Sequence, residues 1–351
     1  MLVAGGLLIL MAMGFALGGM AIDAGTDPQD DDDDGFSGAD PDTADMPAEN
    51  TVMLDDLMFE AGADGPPGDA ALPGLALDAL LDGGTGDDVL RARLAMQDVF
   101  SGPGDDAVTG GPNGDTLLGG AETDAFFGNE GDDNLQGQGG ADELYGDDGN
   151  DTLLGGAGRD FLVGGDGDDS LSGGDDGDLM FGGDGDDLLA GDGGDDFLQG
   201  GFGADHLLGG AGHDWLDGSF TAGASLFATG DQDQGDVLDG GDGDDTILIG
   251  AGDLATGGAG ADIFRTGSYI TSVDLAGHVS DFDPAQDMIE LLYDPEQTPD
   301  PIVTVVDFDD GSGASILFNG TVVLTVSGAQ GLDPAAIELR LAHVDPVSDP
   351  V

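Results

Sequence analysis

The central part of the chain places one apolar residue at every ninth position, between short stretches of Gly and Asp. Written in rows of nine, residues 83–217 form fifteen rows without an insertion, among them GGAGRDFLV, GGDGDDSLS and GGDGDDLLA. The eighth place is Leu, Val, Phe or Met in every row, the first is Gly in 13 rows, and the sixth is Asp in 14. A biased composition alone does not keep such a register, so the rows indicate a structural repeat.

Each row predicts a tight turn followed by a short strand. Gly at the first, second and fourth places permits positive φ and close approach of neighbouring backbones. The three residues after the sixth-place Asp form a brief strand, in which only the eighth residue points inward because side chains alternate across a strand. Two rows then make one coil of eighteen residues, and stacked coils form two thin sheets. The predicted core consists of two facing ladders, Leu144, Leu162, Met180, Leu198 and Leu216 on one sheet and Leu153, Leu171, Leu189 and Leu207 on the other.

The charge of the chain excludes some classes of partner and indicates multivalent cations as the natural alternative. Its 351 residues include 74 acidic side chains against five Arg and no Lys, which gives a formal net charge of −69. Nucleic acid and anionic membrane surfaces are excluded as partners, because both are bound through clustered Lys and Arg. Only eight of the acidic residues are Glu, and Asp is the one that favours tight turns. There is no Cys, so disulfides and thiolate zinc sites are excluded as well.

The core of the array is too small to fold unaided. One buried aliphatic side chain stabilises a row by about 2 kcal/mol, whereas ordering its nine residues costs roughly 1.5 kcal/mol per residue. The array is therefore expected to stay unfolded until a metal ion binds.

Calcium is the ion that best suits the remaining chemistry. It takes 6 to 8 oxygen ligands from carboxylates and backbone carbonyls, whereas magnesium demands a tighter octahedron and keeps its waters. Sixth-place Asp residues eighteen positions apart fall on the same edge, so two files of ions are predicted. The first file is Asp88, Asp106, Asp124, Asp142, Asp160, Asp178, Asp196 and Asp214, the second is Asp115, Asp133, Asp151, Asp169, Asp187 and Asp205, and Asp236, Asp245 and Asp262 keep the ligand position further on.

The rows follow the pattern GGxGxDxUx, in which U is a large aliphatic residue, and residues 83–217 resemble the RTX, or hemolysin-type calcium-binding, repeat family. The resemblance implies a right-handed parallel β-roll, calcium ions between successive turns, and folding coupled to export into a calcium-rich medium. Some rows depart from the pattern. Gln97 replaces the sixth-place Asp of the second row, and Asn113, Glu122 and Asp176 replace a fourth-place Gly, so weak calcium binding or none is expected there.

The register breaks after Asp217. Residues 218–230 are predicted to form an inserted loop. The loop either contacts a substrate or partner or is an insertion without a function, of the kind that solenoids tolerate. The rows then resume, slip by one residue, and close with GGAGADIFR at residues 257–265. We therefore divide the chain into residues 1–22, an acidic disordered leader at 23–82, the β-roll at 83–265 and a small β-rich C-terminal cap at 266–351.

The N-terminal segment, residues 1–22, contains no charged side chain and is long enough to cross a bilayer as a helix. An uncleaved membrane anchor, a cleaved secretory signal and a buried helix all fit it. The following leader is rich in Asp and Pro, a composition typical of disordered segments. Within the leader, the apolar pieces Val52 to Phe59 and Leu72 to Leu81 could pair with the start of the array.

The C-terminal cap is predicted to contain strands at Ile302 to Val306, Ala314 to Phe318 and Thr321 to Val326, followed by an amphipathic helix at Asp333 to Leu341. The stretch VSDFDPAQDMIELL, Val279 to Leu292, is similar to the segment that ends the roll in serralysin-type proteases and type I secretion substrates. This similarity implies an uncleaved export signal read by an ABC exporter. Such substrates usually lack an N-terminal hydrophobic segment, so the two termini indicate different export routes.

No catalytic motif is present in the sequence. HExxH, GxSxG, a Cys nucleophile and the GxxxxGK[ST] phosphate loop are all missing. His206 and His213 could form a metal pair, but exposed turn residues are the simpler interpretation. We therefore expect a secreted or surface-displayed calcium-binding protein rather than an enzyme. The alternatives are a non-catalytic export or regulatory module of a secreted hydrolase system, or a surface adhesin, although the scattered aromatic residues do not indicate glycan or ice binding.

Overall fold

The computed structural model describes residues 79–83, 86, 89–91, 97–219, 235–270 and 275–341. Asp88, residues 1–78, most of the inserted loop and the last ten residues lie outside these ranges. In the part of the chain that is described, no helix has the length and apolar character needed to cross a bilayer. The predictions for residues 1–22 and for Val52 to Phe59 fall outside the described residues.

The described residues form a parallel β-solenoid with two sheets. Sheet A runs in the order β1-β3-β5-β7-β9-β11-β13-β15-β17-β19-β21-β25-β24-β23, and sheet B in the order β2-β4-β6-β8-β10-β12-β14-β16-β18-β20-β22-β26. The strands are β1 Ala79–Asp82, β2 Val89–Arg91, β3 Gln97–Phe100, β4 Ala107–Thr109, β5 Thr116–Leu118, β6 Ala125–Glu130, β7 Asn134–Gly139, β8 Glu143–Asp148, β9 Thr152–Ala157, β10 Phe161–Asp166, β11 Ser170–Asp175, β12 Leu179–Asp184, β13 Leu188–Gly193, β14 Phe197–Phe202, β15 His206–Ala211, β16 Trp215–Asp217, β17 Val237–Asp242, β18 Thr246–Leu248, β19 Leu254–Ala259, β20 Ile263–Gly267, β21 Gly277–Val279, β22 Met288–Tyr293, β23 Val303–Asp307, β24 Gly313–Phe318, β25 Thr321–Ser327 and β26 Glu338–Leu341.

Within the repeat array, successive strands of each sheet pair in parallel at the interval that the nine-residue rows predict, whereas β23, β24 and β25 pair antiparallel. Leu162 lies opposite Met180, eighteen residues later, and Leu171 lies opposite Leu189 in the other sheet. The inserted loop lengthens one coil without breaking the pairing, because Trp215 lies opposite Thr246. The prediction of an all-β parallel solenoid is therefore confirmed.

The strands are longer than the three residues predicted from the rows. From β6 to β15 every strand has six residues, and the burial alternates along them, as in Phe161–Asp166. Two residues of each strand face inward, the eighth-place aliphatic and the Gly that opens the next row. Gly164, for example, lies inside β10 and is not among the residues with positive φ. First-place Gly thus extends the strand, and the reading of this Gly as a turn residue is wrong.

The core is a continuous file of eighth-place side chains. All nine residues predicted for the two ladders are 0–1 % exposed, and the file extends from Leu90 through Ile247 and Phe264 into the C-terminal strands. Each row contributes one buried apolar side chain here, so the core is thin, as the sequence predicts.

Both sheets continue beyond Arg265 into the C-terminal region. Strand β21 pairs in parallel with β19, and β22 pairs in parallel with β20. The three predicted strands of this region are present as β23, β24 and β25. The helix predicted at Asp333 to Leu341 is wrong, because only a 3-10 turn at Pro334–Ala336 forms and the chain then enters β26. Strand β26 pairs with the open edge of β22, which satisfies backbone groups that a helix would leave unpaired.

A buried ion cluster connects the end of the roll to the last strand. Glu290 on β22 is fully buried, and its two carboxylate oxygens lie 2.7 Å from Arg265 Nε and 2.8 Å from Arg340 Nε. Two of the five Arg residues of the chain are therefore used to neutralise one Glu.

We predict that Glu290→Ala lowers the free energy of unfolding by about 3 kcal/mol, because it leaves the half-buried Arg265 cation without its partner. Glu338→Ala is the matched control, since Glu338 is 49 % exposed and lies 3.6 Å from Arg340, and we expect a change below about 0.5 kcal/mol. Urea unfolding in saturating calcium measures both. Equal effects for the two variants would contradict the role given to this cluster.

Candidate metal-binding turns

The sixth-place Asp side chains form two continuous hydrogen-bonded ladders. In each ladder the backbone N–H of one Asp donates to the carboxylate Oδ1 of the Asp in the next coil, at 2.6–3.0 Å. The ladders are Asp106, Asp124, Asp142, Asp160, Asp178, Asp196, Asp214, Asp245 and Asp262 on one edge, and Asp115, Asp133, Asp151, Asp169, Asp187, Asp205, Asp236 and Asp253 on the other.

These carboxylates are buried, at 0–4 % exposure. Many of them use only one oxygen in the ladder, while the second oxygen, Oδ2, has no hydrogen-bond donor among the described residues. This applies to Asp133, Asp142, Asp151, Asp160, Asp169, Asp178, Asp187, Asp196, Asp205, Asp214 and Asp245. A buried anionic oxygen without a donor is strongly destabilising unless a proton or a cation neutralises it.

Each first-place Gly keeps a space open beside such an oxygen. A Cβ added to Gly164 would lie less than 3.0 Å from both Asp169 Oδ2 and the carbonyl oxygen of Gly182, and Gly182 itself is placed in the same way beside Asp187 Oδ2. One carboxylate oxygen and one carbonyl oxygen therefore border the same small space, turn after turn. Calcium takes this mixture of oxygen ligands, so the residues present fit a calcium ion.

Side chains alone do not complete a site. Among the described residues, no group of three His, Cys, Asp or Glu side chains converges on one point. Any ion held here must take part of its ligand shell from backbone carbonyls, which the glycines leave accessible. This arrangement also disfavours magnesium, which binds few protein ligands and keeps several waters.

Burial raises the pKa of thirteen ladder carboxylates, and the hydrogen bond from the neighbouring coil only partly offsets this effect. The pKa rises to about 7 for Asp133, Asp142, Asp169, Asp178 and Asp187. It rises to about 6 for Asp151, Asp196, Asp205, Asp214, Asp245 and Asp262. Neighbouring carboxylates of the same files contribute to the rise, as Asp205 and Asp169 do for Asp187.

The raised pKa values predict that acid can substitute for metal. A carboxyl whose folded pKa lies above its unfolded value stabilises the fold fully below about pH 4, and this stability is lost as pH rises through 6 to 7. In EDTA we therefore expect β-structure at pH 4 that disappears by about pH 7, followed by far-UV circular dichroism. Because burial is the largest cause, about 1 M salt should move the midpoint only slightly. A midpoint that moves strongly with salt would instead indicate general charge repulsion.

Sequence reasoning missed one ladder member, Asp253, and the residue that continues the other ladder beyond Asp262. Asp253 is 1 % exposed and accepts the N–H of Asp236 at 3.0 Å, and Asp287 accepts the N–H of Asp262 at 3.2 Å. The row that carries Asp253 has eight residues instead of nine, so its Asp stands at the fifth place instead of the sixth. The one-residue slip itself was the available signal. Asp287 lies outside the repeat pattern altogether.

The rows that depart from the pattern keep the ladder. Asp176 adopts φ +73° at its fourth-place position, and Asp124, which follows Glu122, still accepts the N–H of Asp106. The second row differs more, because its sixth place is Gln97 and the strand there is β3. Weaker calcium binding at these turns stays a prediction.

A third ladder of hydrogen bonds, which we call the surface ladder, lies on the surface of one edge. Fifth-place side chains of one edge, Asp132, Asn150, Asp168 and Asp186, are exposed, and each is linked to the next coil by a backbone N–H bond to its oxygen at 2.9–3.1 Å. Hydrogen bonds between coils therefore involve both buried and exposed side chains of each turn on this edge.

His206 and His213 are both exposed, as expected for turn residues. A ring nitrogen of His213, Nδ1, lies 2.9 Å from the backbone nitrogen of Asp244, so His213 occupies an Asp place in the surface pattern. In the described region neither His belongs to a metal-ligating cluster.

Comparison with known families agrees with this geometry. The RTX calcium-binding nonapeptide repeat (four copies) matches residues 100–135, 127–162, 154–189, 190–220 and 233–253. No curated protein matches the chain. The matched family describes a calcium-binding repeat rather than a catalytic domain. Residues 100–220 and 233–253 of this chain are therefore RTX calcium-binding nonapeptide repeats.

Proposed function

We propose that this protein is a calcium-dependent folding module in which several calcium ions bind along both Asp ladders. The observation that carries the proposal is the row of buried Oδ2 atoms without a donor among the described residues. Bound calcium neutralises the negative charge of these carboxylate oxygens. Because one ion would join residues of successive coils, binding at one turn orders the next, and folding and binding become one process.

The residues proposed to hold calcium are sixth-place Asp residues, together with carbonyl oxygens of the glycine-rich turns. They are Asp88, Asp106, Asp115, Asp124, Asp133, Asp142, Asp151, Asp160, Asp169, Asp178, Asp187, Asp196, Asp205, Asp214, Asp245 and Asp262. To these we add Asp236 and Asp253, which belong to the same ladders. First-place glycines such as Gly164 and Gly182 leave room for an ion beside the carboxylates of Asp169 and Asp187.

A calcium titration tests this function. In EDTA at pH 7.5 we expect a far-UV spectrum typical of a disordered array, and a cooperative change to β-structure at roughly 10⁻⁴ to 10⁻³ M calcium, the range of extracellular modules. The fluorescence of Trp215, the only Trp of the chain, should change at the same midpoint. Magnesium at equal concentration is the control and should not produce the change. An identical spectrum with and without calcium would exclude the proposal.

We further propose that the protein acts outside the cytoplasm, secreted or displayed on the cell surface, where calcium reaches these concentrations. In the proposed organisation, residues 1–22 anchor or direct the chain, 23–82 form a leader, 83–265 the roll, and 266–351 a cap that carries the export signal. Similarity of Val279 to Leu292 to type I secretion substrates supports an ABC exporter as a partner.

The export route can be tested by deletion. Removing residues 333–351 should stop export through an ABC exporter, whereas removing residues 1–22 should release an anchored protein without stopping it. The smaller deletion of residues 342–351 keeps β26 and separates loss of the signal from loss of the fold. Unchanged export of the 333–351 deletion would place the signal at the N-terminus.

A further inference from the structure

The outer face of sheet B carries a continuous row of aromatic rings. Seventh- and ninth-place side chains point outward, because the eighth points into the core. On six successive strands of sheet B one of these places is aromatic, although the rings look scattered in the sequence. The rings, which we call the aromatic stripe, are Phe127, Tyr145, Phe161, Phe181, Phe197 and Trp215.

Neighbouring rings of the stripe are in contact along its whole length. Their centroids are 4.9–6.5 Å apart, and the six strands extend over roughly 24 Å at about 4.8 Å per strand. Phe127 is 38 % exposed and the other five rings are partly exposed. A contiguous apolar surface of this length on an otherwise acidic protein is typical of an interaction site.

One border of the stripe is strongly acidic. Glu130, Asp148, Asp166 and Asp184 end four of these strands, lie opposite one another in register and are exposed. The exposed fifth-place side chains of the surface ladder follow immediately in the same turns. The stripe is therefore an apolar surface beside a file of negative charge.

The stripe already binds one guanidinium group. Arg265 places its Cζ atom 4.8 Å from the centroid of the Trp215 ring, at the C-terminal end of the stripe. This contact shows that an Arg side chain fits against these rings, where the ring quadrupole attracts a cation.

The rings and their acidic border exclude some classes of binding partner for the stripe. A second copy of this chain, with a net charge of −69, cannot match an acidic border. Sugar rings stack on flat, exposed aromatic platforms, but Phe127 and Tyr145 stack on each other and the next three pairs are tilted by 46–53°, so the stripe offers no flat platform. A partner that combines apolar side chains with Arg or Lys matches both the rings and the carboxylates.

We propose that the aromatic stripe and its acidic border are a docking site for a basic, apolar segment of a partner protein. Its apolar side chains lie on the rings, and its Arg side chains reach Asp148, Asp166 and Asp184 or stack on the rings as Arg265 does. This site requires a folded roll, so it rests on the proposed function, but it does not follow from calcium binding.

Blocked peptides of about eight residues, enough to cover the stripe at roughly 3.3 Å per extended residue, test the proposal on the calcium-loaded full chain. Titration calorimetry should detect binding of a peptide of alternating Leu and Arg. A Ser and Arg peptide of equal charge, and a Leu and Glu peptide of equal apolarity, should bind at least about tenfold more weakly. The double variant Phe161→Ser, Phe181→Ser should weaken the Leu and Arg peptide about tenfold or more.

The matched control removes exposed apolar side chains from the other sheet. Leu188 and Leu208 are 43 % and 38 % exposed on sheet A, so Leu188→Ser, Leu208→Ser should leave peptide binding unchanged. Circular dichroism in calcium verifies that both variants fold, and Phe161→Leu, Phe181→Leu, which keeps apolar volume, replaces the Ser variant if that variant does not fold. Equal binding of the Ser and Arg peptide, or a stripe variant that changes the calcium midpoint but not the peptide affinity, would overturn the proposal. Failure of the chain to fold in calcium would instead contradict the proposed function.

Discussion

Replacing Asp187 by Asn is expected to weaken the calcium-bound roll and to strengthen the metal-free roll. The Asn side chain keeps the oxygen that accepts the N–H of Asp169, but it removes the negative charge beside the space at Gly182. In saturating calcium we expect a loss of about 1.5–3 kcal/mol, the usual contribution of an interaction with a charged group. In EDTA the desolvated charge is gone, so β-structure should persist to a higher pH than in the unmodified protein.

The neighbouring carboxylate provides the control for this experiment. Asp186 is exposed and its Oδ1 accepts the N–H of Ala204, a bond that Asn can keep. We expect Asp186→Asn to change the free energy of unfolding by less than about 0.5 kcal/mol in either condition. Urea unfolding in calcium and pH titration in EDTA measure the two variants. Indistinguishable behaviour of Asp187→Asn and Asp186→Asn would show that the buried ladder does not hold the ions.

Replacing Gly185 by Ala is expected to destabilise the calcium-bound roll by about 3 kcal/mol or more. Gly185 adopts φ +141°, a backbone conformation that L side chains rarely adopt, and its added Cβ would lie less than 3.0 Å from the carbonyl oxygen of Gly167. Strained backbone costs about 1–3 kcal/mol, and steric overlap with the neighbouring coil adds to this cost. The coil cannot move away, because its spacing is set by the hydrogen bonds of both sheets.

Gly193 provides the control for Gly185→Ala, because it tests whether any Gly to Ala change in this region is destabilising. Gly193 has no positive φ, and its added Cβ would lie 3.7 Å from the nearest atom, the carbonyl oxygen of Gly174. Gly193→Ala should therefore change stability by less than about 1 kcal/mol, in either direction. Thermal unfolding in saturating calcium compares the two. Similar losses for both would contradict the geometry described for the turns.

The sequence predicts the register of this fold well because one side chain per row decides it. A single inward position in every nine residues, held without insertion, leaves one way to stack the coils, and the inserted loop does not change the pairing of Trp215 with Thr246. The positions of the Asp ladders follow from the same periodicity. The hydrogen bonds of the ladders to the next coil could not be predicted, nor could the second oxygens that in many ladder residues have no donor among the described residues, because both depend on the distance between coils.

Other features were not predictable, because a Gly can lie in a turn or in a strand and an amphipathic segment can form a helix or a strand. A first-place Gly is easily interpreted as a turn residue, yet Gly164 lies inside β10, and Gly is needed there because a Cβ would collide with Asp169 Oδ2. The last segment has an amphipathic pattern, but an open sheet edge at β22 favours a strand at Glu338–Leu341. The alignment of the six rings in the aromatic stripe could likewise not be predicted, because it depends on which rows share a sheet.

Amide hydrogen exchange of the full chain, with calcium and with EDTA at pH 7.5, tests the central claim most directly. The backbone N–H groups of the sixth-place Asp residues from Asp106 to Asp262 each donate to a carboxylate of the next coil, as Asp169 does to Asp187 at 2.8 Å. If calcium binding and folding are one process, peptides from residues 100–219 and 235–253 are strongly protected in calcium and exchange like a disordered chain in EDTA. Equal protection of these peptides in both conditions would contradict this claim.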